Sequence, residues 1–199
     1  IAGVAGWMSV LGRGRLSSDE TVVVLGASGA VGQVAVQAAV ARGAQVIAAA
    51  RSEKGLIRAK DLGAHETVTI DDNFDEALAA VAPDGIDLAV DMVWGTAAPI
   101  AIGQLTPRGR LIQVGNAESP EALVVGGPLR GRRIDIRGFS VYSEHFSDVA
   151  GAYGELAAAA AEGNIRMEIE TYPLDQAPRA WADQKAGAGG SKLVVVPAG

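Results

Sequence analysis

The sequence predicts an α/β protein built on a doubly wound parallel sheet of about six strands. Three observations predict it. Residues 22–25 form an unbroken apolar run, as expected of a strand that is covered on both faces. A glycine-rich turn at 26–32, an apolar-faced helical segment and a second apolar run at 46–50 follow it. Strand-like and helix-like segments then alternate through the middle of the chain, as in repeated βαβ units.

Length and composition limit the possible classes of protein. The 199 residues suffice for one domain, or for one domain with an appendage, and 49% of them are apolar. A net charge of −6 and an aromatic content of 5% argue against a nucleic-acid-binding protein. The absence of cysteine excludes disulfides and thiolate zinc sites and leaves the cellular compartment undetermined; a cytoplasmic location is the default expectation.

The first residues are apolar and predict a helix over 2–11. Arg13 and Arg15 follow this segment, whereas basic residues precede the apolar part of a secretory signal. We therefore expect no such signal and no membrane-spanning segment. Because the chain begins at Ile1, the sequence also indicates processing or excision from a longer product.

Glycine, proline and capping residues set the other boundaries. Gly43 and Gly63 are expected to end helices, Ser52 to cap one, and residues 83–85 to stop another. Further helices are predicted at 30–42, 52–62, 73–81, 96–105, 144–162 and 175–185. Strands are predicted at 22–25, 46–50, 67–70, 86–93, 110–114, 134–141, 168–172 and 193–196, with a turn at 107–109 and mostly loop over 115–133.

The turn at 26–32 reads GASGAVG and is the strongest functional signal in the chain. Gly26 permits a tight exit from the strand, Gly29 leaves room for a pyrophosphate, and Gly32 lets the helix lie close to the sheet. Backbone amides of the turn, which includes Ser28, Ala30 and Val31, would then face the phosphates. This arrangement predicts a dinucleotide site; the alternative is a structural βα turn without a ligand.

Six segments in sequence order resemble the medium-chain dehydrogenase/reductase superfamily, and especially its zinc-independent quinone oxidoreductase-like branch. They are VVLGASGAVGQVAVQAA at 23–39, KDLGAHETV at 60–68, DLAVDMV at 87–93, RGRLIQVG at 108–115, PLRGRRIDIRGFS at 128–140 and KLVVVP at 192–197. The resemblance implies a Rossmann domain that binds a dinucleotide.

The resemblance also implies a domain organisation. Members of this family carry a β-rich catalytic domain before the cofactor domain, and this sequence shows no such region. We expect residues 1–166 to be the dinucleotide-binding Rossmann domain and residues 167–199 to be a C-terminal tail. The short strands of that tail would belong to the missing catalytic domain, and full catalysis by this chain alone is therefore in doubt.

The residues after the second strand favour NADP over NAD. An NAD site usually places a carboxylate there, whereas this chain has Arg51, followed by Ser52 and Lys54, with Arg58 one helical turn further. An Arg fork and a hydroxyl suit a 2′-phosphate. Two alternatives stay open: Glu53 could bind a ribose 2′-hydroxyl, or these charges could form a solvated helix start.

Further candidate residues follow the later strands. By their position at carboxyl ends of strands, Val93, Gly115 and Asn116 are candidates for contact with the cofactor. By resemblance, Phe139, Ser140 and Val141 would lie near the nicotinamide, although Phe139 could equally be a core residue. Asp91 could contribute to the site or cap a loop. No metal site is expected, because His65 and His145 are isolated in the sequence.

The predicted activity is the reduction of a quinone or an α,β-unsaturated carbonyl by hydride transfer from NADPH, without a metal. No proton donor and no other catalytic residue can be assigned from the sequence. The alternative is a dinucleotide-binding sensor or scaffold that performs no chemistry. The expected partners are a small-molecule substrate and, through apolar residues of the sixth strand such as Ile134 and Ile136, a second copy of the chain; neither nucleic acid nor a membrane is expected.

Overall fold

Six parallel strands form the centre of the molecule in the computed structural model, which describes residues 1–187 and 190–197. The sheet has the order β3-β2-β1-β4-β5-β6, and every neighbouring pair is parallel. The strands are β1 Thr21–Leu25, β2 Gln45–Ala50, β3 Glu66–Thr69, β4 Ile86–Asp91, β5 Leu105–Gln113 and β6 Asp135–Gly138. The predicted doubly wound fold is confirmed.

Helices cover both faces of this sheet. They are α1 Ala2–Trp7, which continues as a π-helix over Met8–Arg13, α2 Ala30–Arg42, α3 Glu53–Asp61, α4 Phe74–Val81, α5 Ala97–Gln104, α6 Gly126–Arg132 and α7 Phe146–Ala161. The helix α8 Ala177–Lys185 packs instead on the two strands at the end of the chain. Alternate residues of β1 explain why both faces need cover. Val22 and Val24 pack into the layer that contains α1 and α2, whereas Val23 and Leu25 pack into the layer of α4 and α5.

Local signals placed several boundaries correctly. Gly43 adopts the left-handed conformation, with φ of 84°, and ends α2, and the Ser52 hydroxyl accepts a hydrogen bond from the Gly55 amide at the start of α3. The capping residue expected at Asp175 is not used, because a 3₁₀ turn over Leu174–Gln176 precedes α8.

The sixth strand is shorter than the predicted 134–141, because β6 ends at Gly138 and a 3₁₀ turn follows over Val141–Ser143. Two other predicted segments differ in type from the structure. The stretch predicted as loop contains α6, and the turn predicted at 107–109 lies inside β5. There the ladder with β4 shifts register between Ile86 and Leu88, and Arg108 adopts φ of 68°. The register shift accommodates residues 107–109 within the strand, so β5 continues past them.

Arg110 ties the N-terminal segment to the amino-terminal edge of the sheet. Its guanidinium donates to both carboxylate oxygens of Glu20, at 2.7 and 2.8 Å, and to the carbonyl oxygens of Gly14, Arg15 and Asp87. Burial is the largest single influence and acts to raise the pKa of Glu20. The hydrogen bonds from Arg110 and from the Ser17 amide, together with the positive charge of Arg110, outweigh burial and hold that pKa below its usual value. The five donors of this buried side chain are thus all used.

The end of the chain, here called the C-terminal unit, comprises β7 Ile169–Pro173, α8 and β8 Lys192–Val196. Its two strands pair in parallel apart from the main sheet. Glu168, just before β7, forms an ion pair with Arg58 of α3. Residues 188–189 and 198–199 of the predicted tail lie outside the described residues.

The main sheet has two edge strands, β3 and β6. Ile136 of β6 is 39% exposed, and pairing of the β6 edge with a second copy stays a prediction. Among the residues that the structure describes, no helix is both long and apolar enough to cross a membrane.

Candidate functional site

A cavity of about 430 Å³ opens at the carboxyl ends of β1, β2, β3 and β4. This is where the chain order reverses across β1, the position at which open α/β sheets bind ligands. Nine of the predicted site residues line this cavity: Gly26, Ser28, Gly29, Ala30, Val31, Gly32, Arg51, Ser52 and Val93. A larger groove of about 980 Å³ lies between the π-helix, β6 and α7, away from the glycine turn.

The glycine turn is shaped by close approaches of backbone to backbone. Gly26 has φ of 86° and donates its N–H to the carbonyl oxygen of Ala49 at 2.9 Å. A Cβ on Gly32 would collide with the carbonyl oxygen of Gly26 and lie 2.7 Å from Cα of Ala27. These two glycines therefore let α2 start directly against the end of β1.

The first turn of α2 presents to the cavity backbone amides that have no acceptor among the described residues. Gly29 is the N-cap residue in an extended conformation, no side chain caps the helix, and its first turn has no acidic residue. The first helical hydrogen bond runs from the Gln33 amide to the Gly29 carbonyl at 2.9 Å. The amides of Ala30, Val31 and Gly32 thus have no acceptor within the helix, which gives this end a positive electrostatic potential.

Arg51 and Ser52 form the rim at the end of β2. Arg51 is exposed and contributes to the cavity wall, and Ser52 does so while its hydroxyl caps α3. A Cβ on Gly55 would collide with the side chain of Ser28, so a glycine there lets α3 approach the glycine turn. Lys54 is exposed and lies outside the cavity lining, and Arg58 is engaged by Glu168.

Asp91 holds the loop that follows β4. Its buried Oδ1 accepts the amides of Val93 and Trp94 at 2.8 and 2.9 Å, which confirms the loop-cap interpretation. Oδ2 is buried, with no partner among the described residues. Burial raises the pKa of Asp91 to about 6, although the two backbone hydrogen bonds act to lower it. The cap places Val93 against Gly26, whose Cβ position would be 3.0 Å from Cγ2 of Val93.

The structure does not bring the remaining predicted residues to this cavity. Gly115 packs its backbone against Met92, Asn116 and Ser140 are exposed, and Phe139 is buried in the core with 7% exposure. Val141 lines a separate apolar cavity of about 330 Å³ beside α1 and α7. Their predicted contacts with a nicotinamide stay predictions.

Four lining residues were missed by the sequence analysis: Ala50, Ile70, Met92 and Ala117. The first three lie at or just after the carboxyl ends of strands, a signal that could have found them. Ala117 reaches the cavity because its amide bonds to the carbonyl oxygen of Met92 at 3.0 Å, which no local pattern reveals. Within residues 1–187 and 190–197, no three His, Cys, Asp or Glu side chains group as metal ligands would; that the chain holds no metal stays a prediction.

The fold and the glycine turn define a Rossmann-type α/β domain, and comparison with known proteins identifies its family. The family model described as zinc-binding dehydrogenase matches residues 30–158. The chain therefore belongs to that family, in the quinone oxidoreductase-like branch of the medium-chain dehydrogenase/reductase superfamily. The resemblance drawn from the sequence is confirmed.

Individual relatives agree with this placement. A quinone oxidoreductase of Sus scrofa is 30% identical over 95% of this chain and 58% of its own length. CurA of Vibrio vulnificus, solved with NADPH, superposes with a TM-score of 0.85 at 26% identity, over 100% of this chain and 63% of its own. The quinone oxidoreductase of Thermus thermophilus gives a TM-score of 0.76 at 29% identity, over 92% and 59%. This chain thus spans less than two thirds of each relative.

Proposed function

We propose that this chain is the NADP(H)-binding domain of an oxidoreductase that reduces quinones or α,β-unsaturated carbonyls by hydride transfer. One observation carries the proposal: the uncapped first turn of α2 faces a cavity at the switch point of the sheet, with Arg51 on its rim. Free amides and a cation are the donors that a pyrophosphate and a 2′-phosphate require. Two kinds of relatives support the proposal. Some are described as quinone oxidoreductases, and two of the solved structures are described with NADPH.

The donors that line the cavity match the pyrophosphate and the 2′-phosphate of a dinucleotide. At Gly29 a Cβ would meet only the Gly26 carbonyl oxygen, at 3.5 Å, so the missing side chain leaves open space beside the free amides. Ala30, Val31 and Gly32 would hold the pyrophosphate, and Arg51 with Ser52 would hold the 2′-phosphate. When bound, NADPH supplies the hydride; the protein's part is to position the acceptor and to stabilise the developing enolate by a hydrogen bond.

Calorimetry with NADPH and NADH tests the cofactor assignment. Loss of a charge-assisted hydrogen bond corresponds to roughly a 10- to 100-fold change in affinity. Arg51→Glu should therefore weaken NADPH by about that factor, while NADH, which lacks the 2′-phosphate, changes by about threefold or less. Arg130→Glu on α6 is the matched control, because it makes the same charge change at an exposed position away from the cavity.

If Arg51→Glu lowered the affinities for NADPH and NADH equally, the NADP assignment would be rejected, and the proposal of a dinucleotide site would remain. Lys54→Glu, run in parallel, separates a specific role of Arg51 from a general effect of charge at the start of α3. If the wild-type protein bound neither nucleotide, the proposed function itself would be wrong.

A second candidate is a dinucleotide-binding sensor or scaffold. It is favoured by one observation: the residues predicted for the nicotinamide side do not line the cavity. Oxidation of NADPH in the presence of a panel of quinones and enones discriminates the two. Binding without turnover would favour the sensor or an incomplete catalytic unit, and turnover by this chain alone would establish the enzyme.

A further inference from the structure

Gln33 links the glycine turn to the C-terminal unit. The side chain is 1% exposed, and its Nε2 donates to the carbonyl oxygen of Ser28 at 2.8 Å and to that of Gly190 at 2.6 Å. An amide nitrogen has two hydrogens, so both donors are used. Oε1 is buried with no partner in the part of the chain that the structure describes. Through Nε2, Gln33 joins two backbone carbonyls that are distant in sequence, one in the glycine turn and one at the start of the segment that leads into β8.

The carbonyl that Gln33 engages controls the shape of the turn. Ser28 O and the Gly29 N–H belong to one planar peptide, and the Gly29 N–H donates to the Gly26 carbonyl at 3.1 Å. This peptide is therefore held at both of its polar atoms. Because Gly29 is the N-cap residue of α2, the orientation of the peptide sets where the free amides of the first helical turn begin.

Gly190 lies directly on the glycine turn. It has φ of 85°, and a Cβ there would be 2.9 Å from the Ser28 carbonyl oxygen and would collide with the guanidinium of Arg58. Two residues later, the Lys192 amide donates to the Glu168 carbonyl at 2.8 Å and so begins the pairing of β8 with β7. The C-terminal unit and the turn thus meet through the backbone of Gly190 and the side chain of Gln33.

We propose that Gln33 is a positioning residue that couples docking of the C-terminal unit to the geometry of the glycine turn, and thereby to dinucleotide affinity. This inference rests on the proposed function. Coupling of this kind is reciprocal: a docked C-terminal unit strengthens NADPH binding, and bound NADPH stabilises the docked unit by the same factor.

Gln33→Met tests the coupling, because it keeps the length of the side chain and removes both donors. Gln37→Met is the matched control on the same helix. Gln37 also holds the segment before β7, through hydrogen bonds of 2.9 and 2.8 Å with the backbone of Arg166, but none of its hydrogen bonds reaches residues 26–32. The readouts are the Kd for NADPH by calorimetry and the hydrogen exchange of β8 with and without NADPH.

Loss of the two hydrogen bonds should raise the Kd for NADPH about tenfold in Gln33→Met. In Gln37→Met the Kd for NADPH should change about twofold or less, even if the melting temperature falls as much as it does in Gln33→Met. In the wild-type protein NADPH should slow exchange of the β8 amides, and in Gln33→Met this protection should disappear. A purely structural role of Gln33 would lower stability without abolishing that protection.

Gly190→Ala provides a second route that leaves α2 unchanged, and it keeps the test decisive if Gln33→Met does not fold. Its Cβ would displace the C-terminal unit from the turn, so the same rise in Kd is expected. Wild-type affinity in Gln33→Met and Gly190→Ala, or an equal rise in Gln37→Met, would overturn the coupling and leave the proposed function intact. Failure of the wild-type protein to bind NADPH would overturn both.

Discussion

The carboxyl edge of the main sheet has two halves that differ in how they are built. At the ends of β1, β2 and β3, the glycine turn, Arg51 and Ile70 enclose a cavity, with packing that leaves no room for a Cβ on Gly32. At the ends of β5 and β6, Asn116 and Ser140 are exposed and contribute nothing to that cavity. The first half thus carries a formed ligand-binding geometry within this chain, whereas the second does not.

The largest effect is expected at the glycine turn itself. Gly32→Ala forces a Cβ against the Gly26 carbonyl, so the free energy of unfolding should fall by about 1–3 kcal/mol and NADPH binding should be lost. Gly29→Ala is the control for packing, because its Cβ meets only one atom at ordinary contact distance. Urea unfolding should show Gly29→Ala within about 0.5 kcal/mol of wild type, while calorimetry should show weaker NADPH binding. Equal destabilisation by both variants would contradict the packing argument.

An intermediate effect is expected at Asp91, which lies where the two halves meet. Its pKa is raised from 3.8 to about 6 in the folded protein, so the folded state binds the proton more tightly than the unfolded state does. The free energy of unfolding should therefore rise as the pH falls from 7 towards 4, by up to about 3 kcal/mol from this group.

Asp91→Asn keeps an oxygen acceptor for Val93 and Trp94 and removes the titration. Urea unfolding at several pH values between 4 and 7.5 should show that the difference between the two proteins shifts in favour of the wild type as the pH falls. A pH-independent difference would show that Asp91 keeps its ordinary pKa.

The smallest effect is expected on the open half. Neither Asn116 nor Ser140 lines the cavity, so Asn116→Ala and Ser140→Ala should each change the Kd of this chain for NADPH by about twofold or less. Calorimetry on the two variants provides the measurement. A tenfold loss in either would mean that the dinucleotide spans both halves, and the contrast between them would disappear.

Local signals in the sequence were sufficient to predict the sheet and the core of the candidate site. The apolar run from Val22 to Leu25 predicted a strand covered on both faces, and those residues are buried. Gly26 and Gly32 predicted a close βα turn, and the structure needs glycine at both positions. Strand ends then placed Arg51 and Val93 at the cavity. Each of these inferences needed only neighbours in sequence.

Contacts between distant segments could not be predicted in this way. The helix α6 begins with Gly126, Gly127 and Pro128, which predict a loop, yet Arg132 anchors its end on the carbonyl oxygens of Ile102 and Leu105. The sequence makes Arg58 a candidate for binding a phosphate, whereas in the structure it forms an ion pair with Glu168, 110 residues away in sequence. Pairings of this kind depend on tertiary packing that single-residue propensities do not contain.

The buried guanidinium of Arg110 determines how far this domain can be trimmed. Its acceptors at Gly14, Arg15 and Glu20 all precede the first strand. A version starting at Thr21 would keep the cation in the interior and remove all but one of the oxygens that neutralise or solvate it, a defect that destabilises proteins by several kcal/mol. Residues 14–20 are therefore required to keep the buried charge of Arg110 neutralised and hydrogen-bonded.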